Sequence, residues 1–199
     1  MKYLLSQLSS TTLQQLAKQL KNGSIAVIPT DTQYGIVTSA IQQSSVDKIY
    51  QLRKRSTDKP LIILISSIND IKDFGISIDP NQESILKKFW PNPISIIIPS
   101  PNPELEYLHR GKKSLAFRLP KTDWLINLLK ISGPLVAPST NFEGEKPASN
   151  IDEAEQYFKD QIDFYLDDGD KTGRSSTIIK LLNNEFELIR TGDFKIDQL

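Results

Sequence analysis

Short runs of β-branched residues alternate along this chain with amphipathic, helix-patterned stretches, and two of those runs empty into polar tracts far apart in sequence. Ile25-Ala26-Val27-Ile28 leads into Pro29-Thr30-Asp31-Thr32-Gln33-Tyr34-Gly35, and Leu135-Val136 leads into Ala137-Pro138-Ser139-Thr140-Asn141. Period-two and continuous apolar runs of this length are strand signals. Strand ends that open into small hydroxyl and amide side chains are where α/β sheets collect ligands. A chain that does this twice is constrained toward one sheet with both tracts at its mouth.

The intervening segments support that reading. Leucines 13, 16 and 20 predict a helix over 11–21 with a stop at Asn22-Gly23, followed by a strand at 24–29. Ser44 or Ser45 is expected to cap a helix that turns Val46, Ile49, Tyr50 and Leu52 inward. Strands are expected at 61–65, 93–99 and 114–119, and helices at 82–90, 122–131 and 152–159. Further strands are expected near 135–137 and 163–166, and the runs 176–181 and 187–190 read as a hairpin turning at Asn183-Asn184. Segments 100–113 and 141–150 read as polar loops. The expected fold is a single α/β domain over 1–199, with a twisted mixed parallel and antiparallel sheet flanked by helices and a basic concave pocket.

Charge excludes some classes. Lysine and arginine number 24 against 24 acidic residues, so nothing in the overall field favours nonspecific binding to DNA or membranes, and any anion site must be local. The absence of cysteine rules out disulfides, thiolate zinc sites and a cysteine nucleophile, and fits a cytoplasmic protein. No apolar run approaches the roughly 18 residues of a membrane span, and Met1 to Gln7 is too weakly apolar for a secretory signal.

The local basic features are the cluster Arg53-Lys54-Arg55 with Lys59, and Arg118 inside Leu115-Ala116-Phe117-Arg118-Leu119-Pro120. On charge alone the cluster reads first as a solvated helix end, where the dipole favours cations, and only then as a phosphate or carboxylate site. Arg118 sits in an apolar strand and needs a partner, either a structural carboxylate or a ligand anion. Thr30, Thr32, Ser139, Asn141, Ser176 and Thr177 suit a ligand but are also ordinary turn and cap residues. The stretch Gly169 to Ser176 lacks a Gly-Lys-Ser/Thr ending, so it is not a Walker-type phosphate loop. Asp167-Asp168 fits a turn, and the single histidine, His109, in a polar loop gives no support to a triad or zinc site. No metal-ligand set is predicted.

Taken in order, these tracts resemble the YrdC-like family. The strand before Pro-Thr-Asp-Thr-Gln-Tyr-Gly is followed by the Arg53/Arg55 element with Lys59-Pro60-Leu61, then Trp90-Pro91-Asn92-Pro93 before a strand. Next come Arg118-Leu119-Pro120, Pro138-Ser139-Thr140-Asn141, Ser176-Thr177 and Leu188-Ile189-Arg190-Thr191-Gly192. The resemblance covers nearly the whole chain and looks like the family's short, single-domain form. It implies an L-threonylcarbamoyladenylate synthase, which joins L-threonine, bicarbonate and ATP into threonylcarbamoyl-AMP and pyrophosphate for modification of adenosine 37 in tRNA. It implies that Thr32, Arg118, Ser139 and Ser176 contact the amino acid, and that Arg53, Arg55, Lys59, Ser114, Asn141, Ser149 and Arg190 contact ATP. Arg55, Lys59 and Arg118 form the implied electrostatic centre. Mg2+ accompanies the nucleotide, and tRNA and a threonylcarbamoyl-transferase complex are the implied downstream partners.

Three positions depart from the family pattern: Arg53 where lysine is usual, Asn92 where glycine is usual, and Leu64 where many relatives have histidine. Asparagine at position 92 tolerates the left-handed backbone that glycine often supplies. Retained charge at Arg53 implies that Arg53→Lys leaves activity within an order of magnitude, and Arg118→Ala is expected to abolish synthesis while sparing the fold. Two other readings carry different consequences. An RNA-binding relative without synthase activity requires the basic residues to spread over a broad face. The carbamoyl-adenylate module of hydrogenase maturation brings cysteine-rich zinc segments, which this chain lacks.

Overall fold

The computed structural model describes residues 1–182 and 185–196. The first strand, β1 (Lys2–Leu4), precedes α1 (Ser10–Lys21), whose N-cap Ser9 accepts the Thr12 amide at 3.1 Å. α1 buries Leu16, Ala17 and Leu20, and the chain leaves it through Asn22 and Gly23. Gly23 has a φ of 94°, a conformation that costs glycine nothing. β2 (Ala26–Pro29) and β3 (Tyr34–Ser39) then form an antiparallel pair around the first polar tract.

The remaining elements are α2 (Gln43–Leu52), β4 (Ile62–Leu64), α3 (Pro80–Phe89), β5 (Ile94–Pro99), α4 (Glu106–His109) and β6 (Ser114–Arg118). After them come α5 (Asp123–Ser132), β7 (Leu135–Val136), α6 (Ile151–Phe158), β8 (Phe164–Asp167), β9 (Thr177–Leu182) and β10 (Glu185–Arg190). The described strands make one ten-stranded sheet in the order β1-β8-β2-β3-β7-β4-β6-β5-β9-β10. Parallel pairs (β1/β8, β2/β8, β4/β6, β5/β9) mix with antiparallel ones.

Strand residues alternate between two apolar clusters, one on each face. Ile25, Val27, Ile36 and Ile63 join Val46, Ile49, Leu86, Phe89 and Phe158, so α2, α3 and α6 pack on that face. Ala26, Ile28, Val37 and Leu64 join Leu16, Leu20, Leu125 and Leu128, so α1 and α5 cover the other. Burial of both faces explains why these strands read as continuous apolar runs. The result is the expected helix-flanked mixed sheet.

Some local expectations fail for physical reasons. Ser44 and Ser45 lie inside α2; its cap position is Gln42, whose amide donates instead to the Lys21 carbonyl at 2.8 Å. Segment 100–113 contains α4, and His109 is buried, with Nε2 3.1 Å from the Asn102 carbonyl. β1 and β3 were not expected from the pattern. The tolerance of asparagine for a left-handed backbone is not called upon at Asn92, whose φ is not positive and whose side-chain amide donates to the Phe89 carbonyl at 2.8 Å. Asp167 takes the turn role, accepting the Gly169 amide at 3.0 Å. The expected hairpin turn at Asn183-Asn184 lies outside the described residues, although β9 and β10 on either side of it pair antiparallel. No helix among the described residues is long and apolar enough to cross a membrane.

Candidate functional site

The two polar tracts meet at the centre of the sheet. Gly35 bridges Ser139, the Ile36 amide donates to the Pro138 carbonyl at 3.0 Å, and the Thr140 amide donates to the Tyr34 carbonyl at 3.1 Å. Tyr34, buried on β3, anchors a third segment: its hydroxyl donates to the Gly169 carbonyl at 2.8 Å and accepts the Asp168 amide at 2.9 Å. Burial, with Asp167 nearby, pushes this phenol up to about 12, so it stays protonated. Gly173 completes the closure. A Cβ there would overlap the Thr32 carbonyl oxygen, so only glycine lets the segment leading to Ser175 and Ser176 lie against the first tract.

These contacts frame a cleft of about 180 Å³. Hydroxyls of Thr30, Thr32, Ser139, Ser175 and Ser176 line it, together with the guanidinium groups of Arg53, Arg55, Arg118 and Arg190. Short apolar surfaces from Leu61, Ile62, Ala137 and Pro138 complete the wall. The electrostatic character is cationic on a neutral, hydroxyl-rich lining.

Arg118, at the end of β6, is 4% exposed. One of its terminal nitrogens donates to Thr32 Oγ1 at 3.1 Å, and the other lies 3.3 Å from Asp31 Oδ1. Its Nε and both Asp31 oxygens are buried without a hydrogen-bond partner. Desolvation lowers the guanidinium below its usual range, and Asp31 opposes that shift. The pairing at 3.3 Å is therefore an ion pair without hydrogen-bond geometry. Thr32 Oγ1 also lies 3.0 Å from Thr30 Oγ1, so the hydroxyls that receive Arg118 are themselves fixed by the first tract.

Arg53 leaves the end of α2 and is 2% exposed. Its Nε donates to the Asn141 carbonyl at 3.0 Å, and one terminal nitrogen donates to Asn141 Oδ1 at 2.9 Å and Ser139 Oγ at 3.2 Å. The other terminal nitrogen is unpartnered. Burial, reinforced by Arg55, lowers this guanidinium to about 10. Arg53 thus braces the second tract while one donor stays free. Arg190 donates to the Ser176 carbonyl at 2.8 Å, and a register shift between Leu188 and Arg190 breaks the β9/β10 ladder there. Desolvation and the nearby Arg118 lower its guanidinium. Ser176 Oγ lies 2.9 Å from Ser95 Oγ.

Thr32, Arg53, Arg55, Arg118, Ser139, Ser176 and Arg190 therefore come together around the cleft. Lys59, Ser114, Asn141 and Ser149 do not line it. Lys59 is ion-paired to Glu143 at 2.5 Å, and Ser114 sits at the opposite end of β6 from Arg118. The Asn141 side chain holds its own loop through the Phe142 and Glu145 carbonyls at 2.7 and 2.9 Å. Ser149 donates to Glu153 in the first turn of α6. Leu64 is buried in the second apolar cluster. Sequence reasoning missed Asp31 and Gln33; the latter lines the cleft and donates through its side-chain amide to the Gly173 carbonyl at 3.0 Å. Among the described residues no group of three or more histidine, cysteine or acidic side chains is arranged to hold a metal ion.

The Sua5/YciO/YrdC family model, described as "Telomere recombination", matches residues 18–192. The chain is 27% identical to the threonylcarbamoyl-AMP synthase of Pyrococcus abyssi, over 90% of this chain and 54% of that protein. It is 31% identical to a putative threonylcarbamoyl-AMP synthase of Methanocaldococcus jannaschii, over 94% and 88% of the two chains. The solved structure of P. abyssi Sua5 complexed with L-threonine superposes with a TM-score of 0.87 at 25% identity, covering all of this chain and 58% of that one. The chain thus spans little more than half the length of its Pyrococcus relative. The family model's match over 18–192, with the fold shared with the Pyrococcus structure, leads to one assignment: the chain belongs to the Sua5/YciO/YrdC family.

Proposed function

We propose that the protein, acting as one domain over 1–199, is an L-threonylcarbamoyladenylate synthase: L-threonine, bicarbonate and ATP give threonylcarbamoyl-AMP and pyrophosphate. The observation that carries this reading is the convergence of Arg53, Arg55, Arg118 and Arg190 on one small hydroxyl-lined cleft. A broad basic face, as an RNA-binding relative requires, would not focus these side chains on about 180 Å³.

The chemistry joins anions. The threonine amine attacks the bicarbonate carbon with loss of water, and an oxygen of the resulting carbamate attacks the α-phosphorus as the bond to pyrophosphate breaks. Buried guanidinium groups offset the repulsion, and holding carbamate and phosphorus in line supplies acceleration through proximity. Arg118 Nε and one terminal nitrogen of Arg53 are buried without a hydrogen-bond partner. An unmet buried donor of this kind typically costs about 1–3 kcal/mol. In this proposal Thr32, Arg118, Ser139 and Ser176 receive threonine, with Arg118 facing its carboxylate. Arg53, Arg55 and Arg190 receive the nucleotide. Lys59, Asn141 and Ser149 join the nucleotide side only if the loops carrying them shift, and Ser114, fixed at the far end of β6, only if the nucleotide reaches along that strand. Mg2+ would neutralise the triphosphate; the described donors fit a metal that arrives on phosphate oxygens rather than one caged by protein. The product passes to a tRNA-modifying transferase complex in the cytoplasm.

The test is pyrophosphate release from ATP and bicarbonate with and without L-threonine, with serine as control and mass detection of the adenylate. Threonine-dependent release with that product establishes the reading. ATP binding without release moves the weight to a nonsynthase relative and makes RNA binding the next measurement.

A further inference from the structure

Lys59 is the one member of the expected electrostatic centre that the structure turns away from the cleft, and a single carboxylate accounts for it. Glu143 sits on the loop that follows the second polar tract. One of its oxygens meets Lys59 Nζ at 2.5 Å, the other accepts the Ser56 amide at 2.6 Å, and its own amide donates to the Arg53 carbonyl at 2.9 Å. Beside it, the Lys54 ammonium stands 4.3 Å from the centre of the Phe142 ring. Two loops that both carry cleft residues are thereby stitched together. Lys59 remains tied to the cleft through its backbone, because its carbonyl accepts from Arg55 Nε at 3.3 Å. Its side chain is 55% exposed and that of Glu143 is 25% exposed, so the pair stays accessible to a competing anion.

We propose that Glu143 is a positioning residue that parks the Lys59 ammonium beside the cleft and is displaced by the phosphates of the incoming nucleotide. This rests on the synthase reading, in which Lys59 serves ATP. A partly exposed pair of one carboxylate with one ammonium is weakly held. A triphosphate carries several charges and is further held by Arg55 and Arg53, so it draws Lys59 off Glu143. The exchange leaves Glu143 bound to the Ser56 amide, which keeps the loop in register while Lys59 moves. The threonine side, built on Thr32 and Arg118, does not touch this pair.

The experiment measures ATP and L-threonine affinity by calorimetry, and KM and kcat by pyrophosphate release, for the wild type, Glu143→Gln, Lys59→Ala and the double variant. Glutamine keeps an oxygen for the Ser56 amide and removes only the charge. The expected result is ATP affinity two- to fivefold tighter in Glu143→Gln, in line with a weak ion pair. Threonine affinity is expected to move less than twofold, and the ATP effect to vanish when Lys59 is alanine. Weaker ATP binding in Glu143→Gln, or a tightening that persists without Lys59, overturns the proposal. A wild type that makes adenylate while Glu143→Gln leaves ATP affinity unchanged sinks this inference alone; a wild type that makes none sinks the synthase reading.

Discussion

Arg118 and Asp31 face each other almost out of water, and neither is fully satisfied by the other. Removing Arg118 alone strands a buried carboxylate, which typically costs about 3–5 kcal/mol. The expectation that Arg118→Ala spares the fold is therefore replaced: urea unfolding should show a loss of that order, and the double variant Asp31→Asn/Arg118→Ala should recover much of it while pyrophosphate release stays absent. Recovery of activity in the double variant would remove Arg118 from the reaction. Arg53→Lys is revised in the same way. Three donations from a planar guanidinium to Ser139 and Asn141 are not reproduced by an ammonium at the end of a flexible stem. Lost bonds to buried acceptors at about 1–3 kcal/mol each give an expected destabilisation of about 3 kcal/mol and a rate loss beyond the single order of magnitude that charge alone suggests; a variant of wild-type stability and rate would restore the charge-only view. The sequence announced that Arg118 needs a partner. It did not name Asp31, because an aspartate flanked by threonines reads equally as a turn residue.

At the scale of elements, the cleft depends on backbones lying unusually close. Gly173 permits this at the Thr32 carbonyl, and Gly192 permits it where the chain after β10 crosses Ser175 to Thr177. The second crossing is held by the Gly192 amide donating to Thr177 Oγ1 at 3.0 Å and the Asp193 amide donating to the Ser175 carbonyl at 3.0 Å. Gly173→Ala should push Ser175 and Ser176 away from the first tract. The expected outcome is a threonine KM raised about tenfold, with about 1–3 kcal/mol lost from unfolding as in other overpacked sites; an unchanged KM would show that this wall does not contact the amino acid. Strands and helices with clean periodicity were legible, from α1 to β9. β3 was not, because Thr38 and Ser39 are polar yet fully buried, and Thr38 Oγ1 is within bonding distance of the Gly23 and Ser24 carbonyls at 3.2 and 2.9 Å. α4 escaped notice because its four residues sit among turn formers and a histidine that the fold buries. Lys59 and Ser149 belong to the same lesson. Their spacing from the basic and polar tracts is visible in sequence, but local acidic side chains, Glu143 and Glu153, decide where they point.

Across the whole molecule, alternating strand and helix patterns indicated a mixed sheet, but not its order. The two-residue β7 lies between β3 and β4 and joins the half of the sheet that carries the first tract to the half that carries Arg118. No local pattern encodes that insertion, and it is what brings cations from three distant segments to one mouth. Their convergent positive charge also makes the cleft a sink for any oxyanion in solution. Phosphate or sulfate should raise the melting temperature in step with concentration, by a stabilisation of about 1.4 kcal/mol at ten times the dissociation constant. The same salts should slow turnover by competition, while chloride at equal ionic strength should do far less; a melting temperature indifferent to phosphate would mean that protein acceptors and Asp31 already satisfy the guanidinium groups. A preparation stored in phosphate would then look robust in a thermal scan and sluggish in an assay, both for the same reason.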